Sequence, residues 1–115
     1  MWVKQVTSAT NTPSAPDLES IDVLTVLRAL ADPVRLEVVR QLAGCRQDGG
    51  LKCHQIELPV TKSTASHHLK TLTSAGITAE REVGTAKFIR LRRDELDARF
   101  PGLLDSVLRG AQLPA

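Results

Sequence analysis

Apolar positions recur at helical spacing between residues 61 and 72, where Ala65, Leu69 and Leu72 stand at i, i+4 and i+7. Thr61 is the expected N-cap, and a helix here ends at the triplet Ser74-Ala75-Gly76. The spacing turns a set of polar side chains to the opposite face: Lys62, Ser66, His67, Lys70 and Thr73. The pattern predicts a helix that buries one apolar side and exposes an opposite face of hydrogen-bonding side chains that are not bulky.

The pattern changes after Gly76. Residues 77–83 and 86–93 are rich in strand-forming side chains and flank a turn around Gly84-Thr85. Strand alternation places Ile89 and Leu91 on one side, and Phe88, Arg90 and Arg92 on the other. We expect a two-stranded ribbon with one face on the core and one outside.

Upstream, residues 17–30 predict a helix with apolar side chains on two opposite faces. One face holds Val23, Val26, Leu27 and Leu30, and the other Leu18, Ile21 and Leu24. A small domain covers one such face, so the second is expected to meet another subunit; the alternative is that Leu18 and Ile21 pack beneath the N-terminal tail.

Three more helical segments complete the prediction. Asp32-Pro33 is typical of a helix start, and the helix that follows stops before Gly44. A short helix is expected around residues 53–57. A C-terminal apolar stripe is interrupted by Pro101 and, together with the first helix, predicts a dimer interface. The stripe comprises Leu96, Phe100, Leu103, Leu104, Val107 and Leu108.

The predicted fold is mainly α with a small β-hairpin wing, a winged helix-turn-helix. With 115 residues and 42% hydrophobic content, we expect one domain at residues 17–110, a flexible tail at 1–16 and a short tail at 111–115. Aromatic residues make up only 3%, which favours an aliphatic core. No apolar run is long enough to span a bilayer and the start does not resemble a secretory signal, so we expect a cytoplasmic location and no membrane partner.

Positive charge is concentrated in one contiguous part of the chain. Residues 60–93 hold seven lysines and arginines against two glutamates, a balance of +5 within a total of +2. Such a concentration is typical of a surface that binds a polyanion. It lacks the apolar helix face that membrane binding would require.

No enzyme is predicted. Cys53 and His54 are adjacent, and neighbouring helix residues point about 100° apart, so the pair does not make a nucleophile and its base. No glycine-rich phosphate loop is present, and no cofactor is expected.

These motifs together resemble the ArsR/SmtB winged-helix repressors. The segment from Leu30 to Leu36, which contains Asp32-Pro33, is similar to their helix opening, and Ser66-His67-His68-Leu69 with the Gly84 hairpin is similar to their recognition helix and wing. The resemblance covers about residues 22–108. It implies a homodimeric repressor that binds double-stranded DNA at an inverted repeat and is released by an inducer. The DNA-contacting residues that it implies are Lys62, Ser63, Thr64, Ser66, His67 and Lys70 on the helix, and Arg81, Thr85, Lys87 and Arg90 on the wing.

His68 is expected to lean inward and bond a backbone carbonyl rather than read bases, because buried polar groups are commonly structural. The family's usual metal sites lie at the short helix before the recognition helix and on the C-terminal helix, and both look absent. The first location offers only one thiol and one imidazole, Cys53 and His54, and residues 94–109 at the second contain no histidine or cysteine. Three interpretations of Cys45, Cys53 and His54 stay open: buried structural thiols, a redox-active disulfide, or an unusual metal site.

The rival function from another class is a winged-helix module that binds proteins and no DNA. Its wing should be less basic and should expose more apolar surface. The arginines and lysines of residues 81–93 favour the DNA-binding hypothesis.

Overall fold

A computed structural model describes residues 16–44, 51–52 and 55–112, with side chains for 16–44 and 55–111. Within these residues, five α-helices and three short strands follow one another. They are α1 (Val23–Leu30), α2 (Pro33–Ala43), β1 (Leu51–Lys52), α3 (Lys62–Ser74), β2 (Thr78–Val83), β3 (Ala86–Leu91), α4 (Arg93–Arg99) and α5 (Leu103–Gln112). The winged helix-turn-helix fold predicted from the sequence is confirmed.

Side-chain caps fix the starts of α2 and α3 where the sequence predicted them. The Asp32 carboxylate accepts hydrogen bonds from the backbone N–H of Val34 at 2.8 Å and of Arg35 at 3.0 Å. The Thr61 hydroxyl accepts from the Thr64 N–H at 3.3 Å. These caps satisfy N–H groups that have no partner inside a helix, so each start is determined locally.

The first predicted helix is shorter than expected. Residues Leu18–Ser20 form a single 3-10 turn, Ile21 is extended, and α1 begins after Asp22, whose carboxylate caps Thr25. The break turns Ile21 into the core, where it is 1% exposed. The expectation that Ile21 faces another subunit is therefore wrong, because the chain leaves helical geometry before it reaches α1.

The sheet has three strands in the order β1-β3-β2, all antiparallel. The added strand, β1, is only two residues long and has no signal in the sequence pattern. The ribbon also ends earlier than predicted: Arg92 is buried at 5% exposure and Arg93 begins α4. The Arg92 guanidinium instead donates to Glu95 and to the Pro16 carbonyl, which fixes the start of the described chain against α4.

A tight connection joins α3 to β2. Gly76 adopts a φ of +89°, and a Cβ there would lie 2.7 Å from Cγ1 of Ile21. The turn folds β2 back over the end of α3 and covers Thr73, which is fully buried and whose hydroxyl lies 2.9 Å from that of Thr78. The prediction that Thr73 points outward is wrong for this reason.

One aliphatic core unites all the helices and the sheet. Its fully enclosed members include Val38, Val39, Leu72, Ile77 and Ile89. Pro101 and Gly102 separate α4 from α5, as the sequence predicted. Leu96, Leu104 and Leu108 are buried in the core of the subunit, so the expectation that the whole C-terminal stripe forms a dimer interface is wrong for these three. Residues 1–15 of the predicted N-terminal tail lie outside the described residues, as do Cys45, Cys53, His54 and the start of the predicted helix at 53–57.

Candidate nucleic-acid interface

The outward face of α3 carries all six helix residues that the sequence selected. Their side chains are exposed in the structure: Lys62, Ser63, Thr64, Ser66, His67 and Lys70. On the opposite face Leu69 and Leu72 are buried, at 8% and 0% exposure. The helix thus exposes a polar face, while its opposite side is packed into the core.

Arg35 ties α3 to the two helices before it. Its Nε donates to the Ala29 carbonyl at 2.7 Å, and its Nη2 lies 3.4 Å from the Arg28 carbonyl near the end of α1. Its Nη1 lies 3.1 Å from Nδ1 of His68 on α3. Since a guanidinium only donates, Nδ1 is the acceptor and the imidazole hydrogen sits on Nε2.

His68 is half-buried and leans inward as expected, but its partner is the Arg35 guanidinium rather than a backbone carbonyl. The contact spans 33 residues of sequence, so no local pattern reveals it. It holds α3 against the start of α2.

The four wing residues are divided between the two faces of the sheet. Arg81 and Thr85 are exposed, whereas Lys87 and Arg90 are half-buried. The register pairs Arg81 with Phe88 and places Lys87 on the face that carries Ile89, and the Arg81 guanidinium lies 5.5 Å from the centre of the Phe88 ring. The candidate wing cations therefore do not form one continuous row.

Carboxylates compensate much of the positive charge after residue 80. Lys87 Nζ lies 3.7 Å from the Glu80 carboxylate, and Arg93 Nη1 lies 3.1 Å from that of Asp105. Arg90 and Arg92 both pair with Glu95, at 3.4 Å and 2.8 Å. Less positive charge is therefore available at the wing than the balance of +5 for residues 60–93 indicates.

Two members of these pairs, Glu95 and Arg90, have lowered pKa values. Hydrogen bonds from the Arg92 guanidinium hold the pKa of Glu95 below its usual value, with burial acting in the opposite direction. Burial lowers the pKa of Arg90, and the neighbouring Glu95 carboxylate opposes that effect. The lowered pKa of Glu95 is the one expected of a carboxylate held in an ion pair with Arg92.

Around α3 the cations are more available. Neither Lys62 nor Lys70 forms a salt bridge with any part of the chain that the structure describes. The local surplus of positive charge therefore lies on the helix.

An open cleft of about 380 Å³ separates α1 and the start of α2 from α3. It is lined by Thr25, Arg28, Ala29, Arg35, His67, Lys70, Thr71, Ser74 and Ala75. Sequence reasoning missed Arg28, because a basic residue in the last turn of a helix is ordinarily explained by the helix dipole. Only the packing of α1 against α3 places it opposite Lys70.

The described residues contain no group of three or more side chains suited to holding a metal ion. None of the helices assigned between residues 16 and 112 combines the length and apolar character that crossing a membrane requires.

Two comparisons with known proteins agree with this geometry. A family described as "Helix-turn-helix domain" matches residues 30–81, which run from the end of α1 into β2. The chain is also 34% identical over 84 residues to a Bacillus subtilis (strain 168) protein described as the uncharacterized HTH-type transcriptional regulator YceK. That match covers 71% of this chain and 82% of the relative.

Proposed function

The chain belongs to the helix-turn-helix transcriptional regulators, and from that premise we propose that it is a homodimeric repressor of the ArsR/SmtB type. It binds an inverted-repeat DNA operator with α3 in the major groove and the β2–β3 hairpin, the wing, beside it. The observation that carries this proposal is the exposed polar face of α3 on a helix fixed by its buried side and by Arg35.

The side chains on that face suit base and phosphate recognition. Ser66 and His67 are small enough to enter a groove about 12 Å wide and can hydrogen-bond base edges, while Lys62 and Lys70 supply charge for phosphates. Ser63 and Thr64 stand in the first turn, where helices commonly approach the DNA backbone. We assign sequence reading to the middle of α3 and backbone contacts to its two ends.

On the wing, Arg81 and Thr85 are exposed and meet the DNA backbone directly in this proposal. Lys87 and Arg90 contribute by sharing their charge between a carboxylate of the chain and a phosphate. The wing therefore supplies less of the electrostatic attraction than α3 does.

Dimerisation follows from apolar side chains that the subunit leaves uncovered. Val23, Leu24 and Leu27 on α1 are 40%, 55% and 40% exposed, and Leu103 and Val107 on α5 are half-buried. Burying such surface is favourable in water, so we propose that α1 and α5 of two copies pack together. Two-fold symmetry then sets the two α3 helices about 34 Å apart, one turn of DNA.

The central experiment measures retention of promoter fragments by the purified protein. Ser66→Ala and His67→Ala should alter the preferred sequence, since a good base contact is worth about 1–3 kcal/mol. Arg99→Ala, which removes an exposed side chain on α4, is the control and should leave the preference unchanged. If neither α3 variant changes the preference, base reading does not reside on this face.

The same assay with reductant, oxidant and a panel of metal ions tests the sensing alternatives for Cys45, Cys53 and His54. Loss of binding under oxidant alone supports the disulfide, loss with one metal supports the metal site, and no response supports structural thiols. Any response identifies the inducer class that the family resemblance implies.

The rival function is a winged-helix module that binds a protein. Two observations favour it: Val83 at the wing tip is 52% exposed, and four of the basic side chains that follow residue 80 pair with carboxylates. Salt separates the two functions, because DNA affinity falls with a log–log slope of about −0.9 for each phosphate neutralised. An absence of salt-sensitive binding to any duplex would favour the rival.

A further inference from the structure

The cleft between α1 and α3 combines charge and shape in a way that the proposed recognition face does not explain. Arg28, Arg35 and Lys70 contribute three cations to its lining, and no acidic side chain of the described residues lines it. On the neighbouring elements, the carboxylate of Asp22 caps Thr25 and that of Asp32 caps α2. The cleft is therefore an electropositive recess.

Its cations differ in how strongly the fold already uses them. Three N–H groups of Arg35 are directed at Ala29, Arg28 and His68, so this side chain is mainly structural. Arg28 and Lys70 are exposed, and neither forms a salt bridge among the described residues. These two side chains supply the charge that an incoming anion would meet.

The occupant can be chosen from the shape and from what adjoins the cleft. Sites for small molecules enclose most of their ligand, whereas this cleft is open along one side. Its α3 wall includes His67 and Lys70, which also stand on the proposed DNA-contacting face. A duplex seated on α3 would carry its backbone past the mouth of the cleft.

We propose that the α1–α3 cleft binds a DNA backbone phosphate, with Arg28 and Lys70 as its cationic contacts from opposite walls. This inference rests on the proposed function and extends the DNA interface from α3 and the wing to α1. Arg28 is then a residue that positions α3 in the groove and adds affinity without reading sequence.

The test compares Arg28→Ala with Arg99→Ala, which removes an exposed arginine on α4 outside the cleft. Affinity is measured across a range of salt concentrations for a duplex that the promoter-fragment assay retains and for a scrambled version of it. Arg28→Ala should weaken binding to both by about tenfold, and it should reduce the magnitude of the salt slope by about 1. Arg28→Lys should keep most of the slope, and Arg99→Ala should change neither quantity.

Unfolding curves and sedimentation of each variant serve as controls that the subunit and the dimer persist. The side-chain substitution leaves the Arg28 carbonyl, and so its contact with Arg35, in place. Equal binding by wild type and Arg28→Ala overturns the cleft assignment alone, whereas a wild type that binds no duplex at any salt overturns the proposed function as well. A loss confined to one sequence would make Arg28 a base reader and also overturns the inference.

A second arm tests a small anion as the occupant. Inorganic phosphate is titrated into wild type and Arg28→Ala while thermal stability is followed. Stabilisation that disappears in Arg28→Ala, with DNA affinity unchanged, would show that the cleft takes a free anion and would overturn the assignment to the DNA backbone.

Discussion

Among single residues, Glu80 on β2 carries a carboxylate that is buried within the wing. Its side chain is only 4% exposed, and Oε1 has no hydrogen-bond partner within the described structure. Lys87 Nζ lies 3.7 Å away and compensates the charge, while the Thr73 hydroxyl reaches Oε2 at 3.5 Å. A buried carboxylate without a compensating cation is costly, so Lys87 has a structural role independent of DNA.

We therefore expect Lys87→Ala to lower the free energy of unfolding by about 1–2 kcal/mol, because Lys87 is partly solvated and its loss strands the Glu80 charge. In a Glu80→Gln background the same substitution should cost much less. Urea denaturation of the four proteins in this double-mutant cycle measures the coupling. Equal costs in both backgrounds would show that the pair contributes nothing to stability.

At the scale of elements, the start of α2 is stabilised by its N-cap residue, Asp32. Hydrogen bonds from the Arg35 and Val34 N–H groups hold the pKa of Asp32 below its usual value, against a smaller opposing effect of burial. A carboxyl whose pKa is lower in the folded than in the unfolded state stabilises the protein above its unfolded pKa. That contribution is lost as the pH falls through the folded pKa.

The free energy of unfolding of the wild type should thus decline below about pH 4. That of Asp32→Asn should decline less steeply, because asparagine caps the helix without ionising. Asp32→Ala separates the cap from the charge, since it should cost about 1 kcal/mol even at neutral pH. Denaturation midpoints between pH 2.5 and 7 provide the measurement. Parallel profiles for wild type and Asp32→Asn would contradict a role for the charge.

The connection between α3 and β2 depends on Gly76. In Gly76→Ala the alanine backbone would have to keep the strained φ of +89°. Its Cβ would also collide with Ile21, at 2.7 Å from Cγ1. We expect a loss of about 2–3 kcal/mol in the free energy of unfolding.

Gly84→Ala is the matched control for Gly76→Ala. It shares a positive φ, of +63°, but its Cβ would meet no atom within 4 Å, so only the backbone cost of about 1 kcal/mol applies. Chemical denaturation of both variants separates strain from collision. Equal losses would mean that Ile21 moves aside without cost.

At the scale of the whole molecule, the break before α1 decides which apolar side chains belong to the subunit. Ile21 is 1% exposed and packs with the core, whereas Leu24 is 55% exposed three residues later. One is part of the folded subunit, and the other belongs to the surface that we propose as the dimer contact.

Ile21→Asp should accordingly destabilise the subunit by more than about 3 kcal/mol, because it buries a charge without a partner. Leu24→Asp should retain the helical circular dichroism of the wild type and should sediment as a monomer with weakened operator binding. A folded Ile21→Asp protein would contradict its place in the core. A Leu24→Asp protein that stays dimeric would remove α1 from the proposed interface.

Signals carried within a few residues were enough to predict most elements. The Asp32-Pro33 and Thr61 caps, the 61–72 periodicity, the Gly84-Thr85 turn and the interruption at Pro101 each act through bonds or sterics between near neighbours. The exposed face of α3 follows from the same periodicity. Thr73 and Ile21 escaped this reasoning because the folding back of β2 and a break in the helix changed their surroundings.

By itself, then, the sequence determined where α2 and α3 begin, which α3 side chains share a face, and the winged helix-turn-helix fold. Only the tertiary structure decided which charges remain available, because the carboxylates that face Arg93 and Lys87 come from other elements or the neighbouring strand. It also decided the Arg35–His68 contact and the position of Arg28 opposite Lys70. The reason is physical: residue spacing sets periodicity, whereas charge compensation and clefts depend on how distant segments pack in three dimensions.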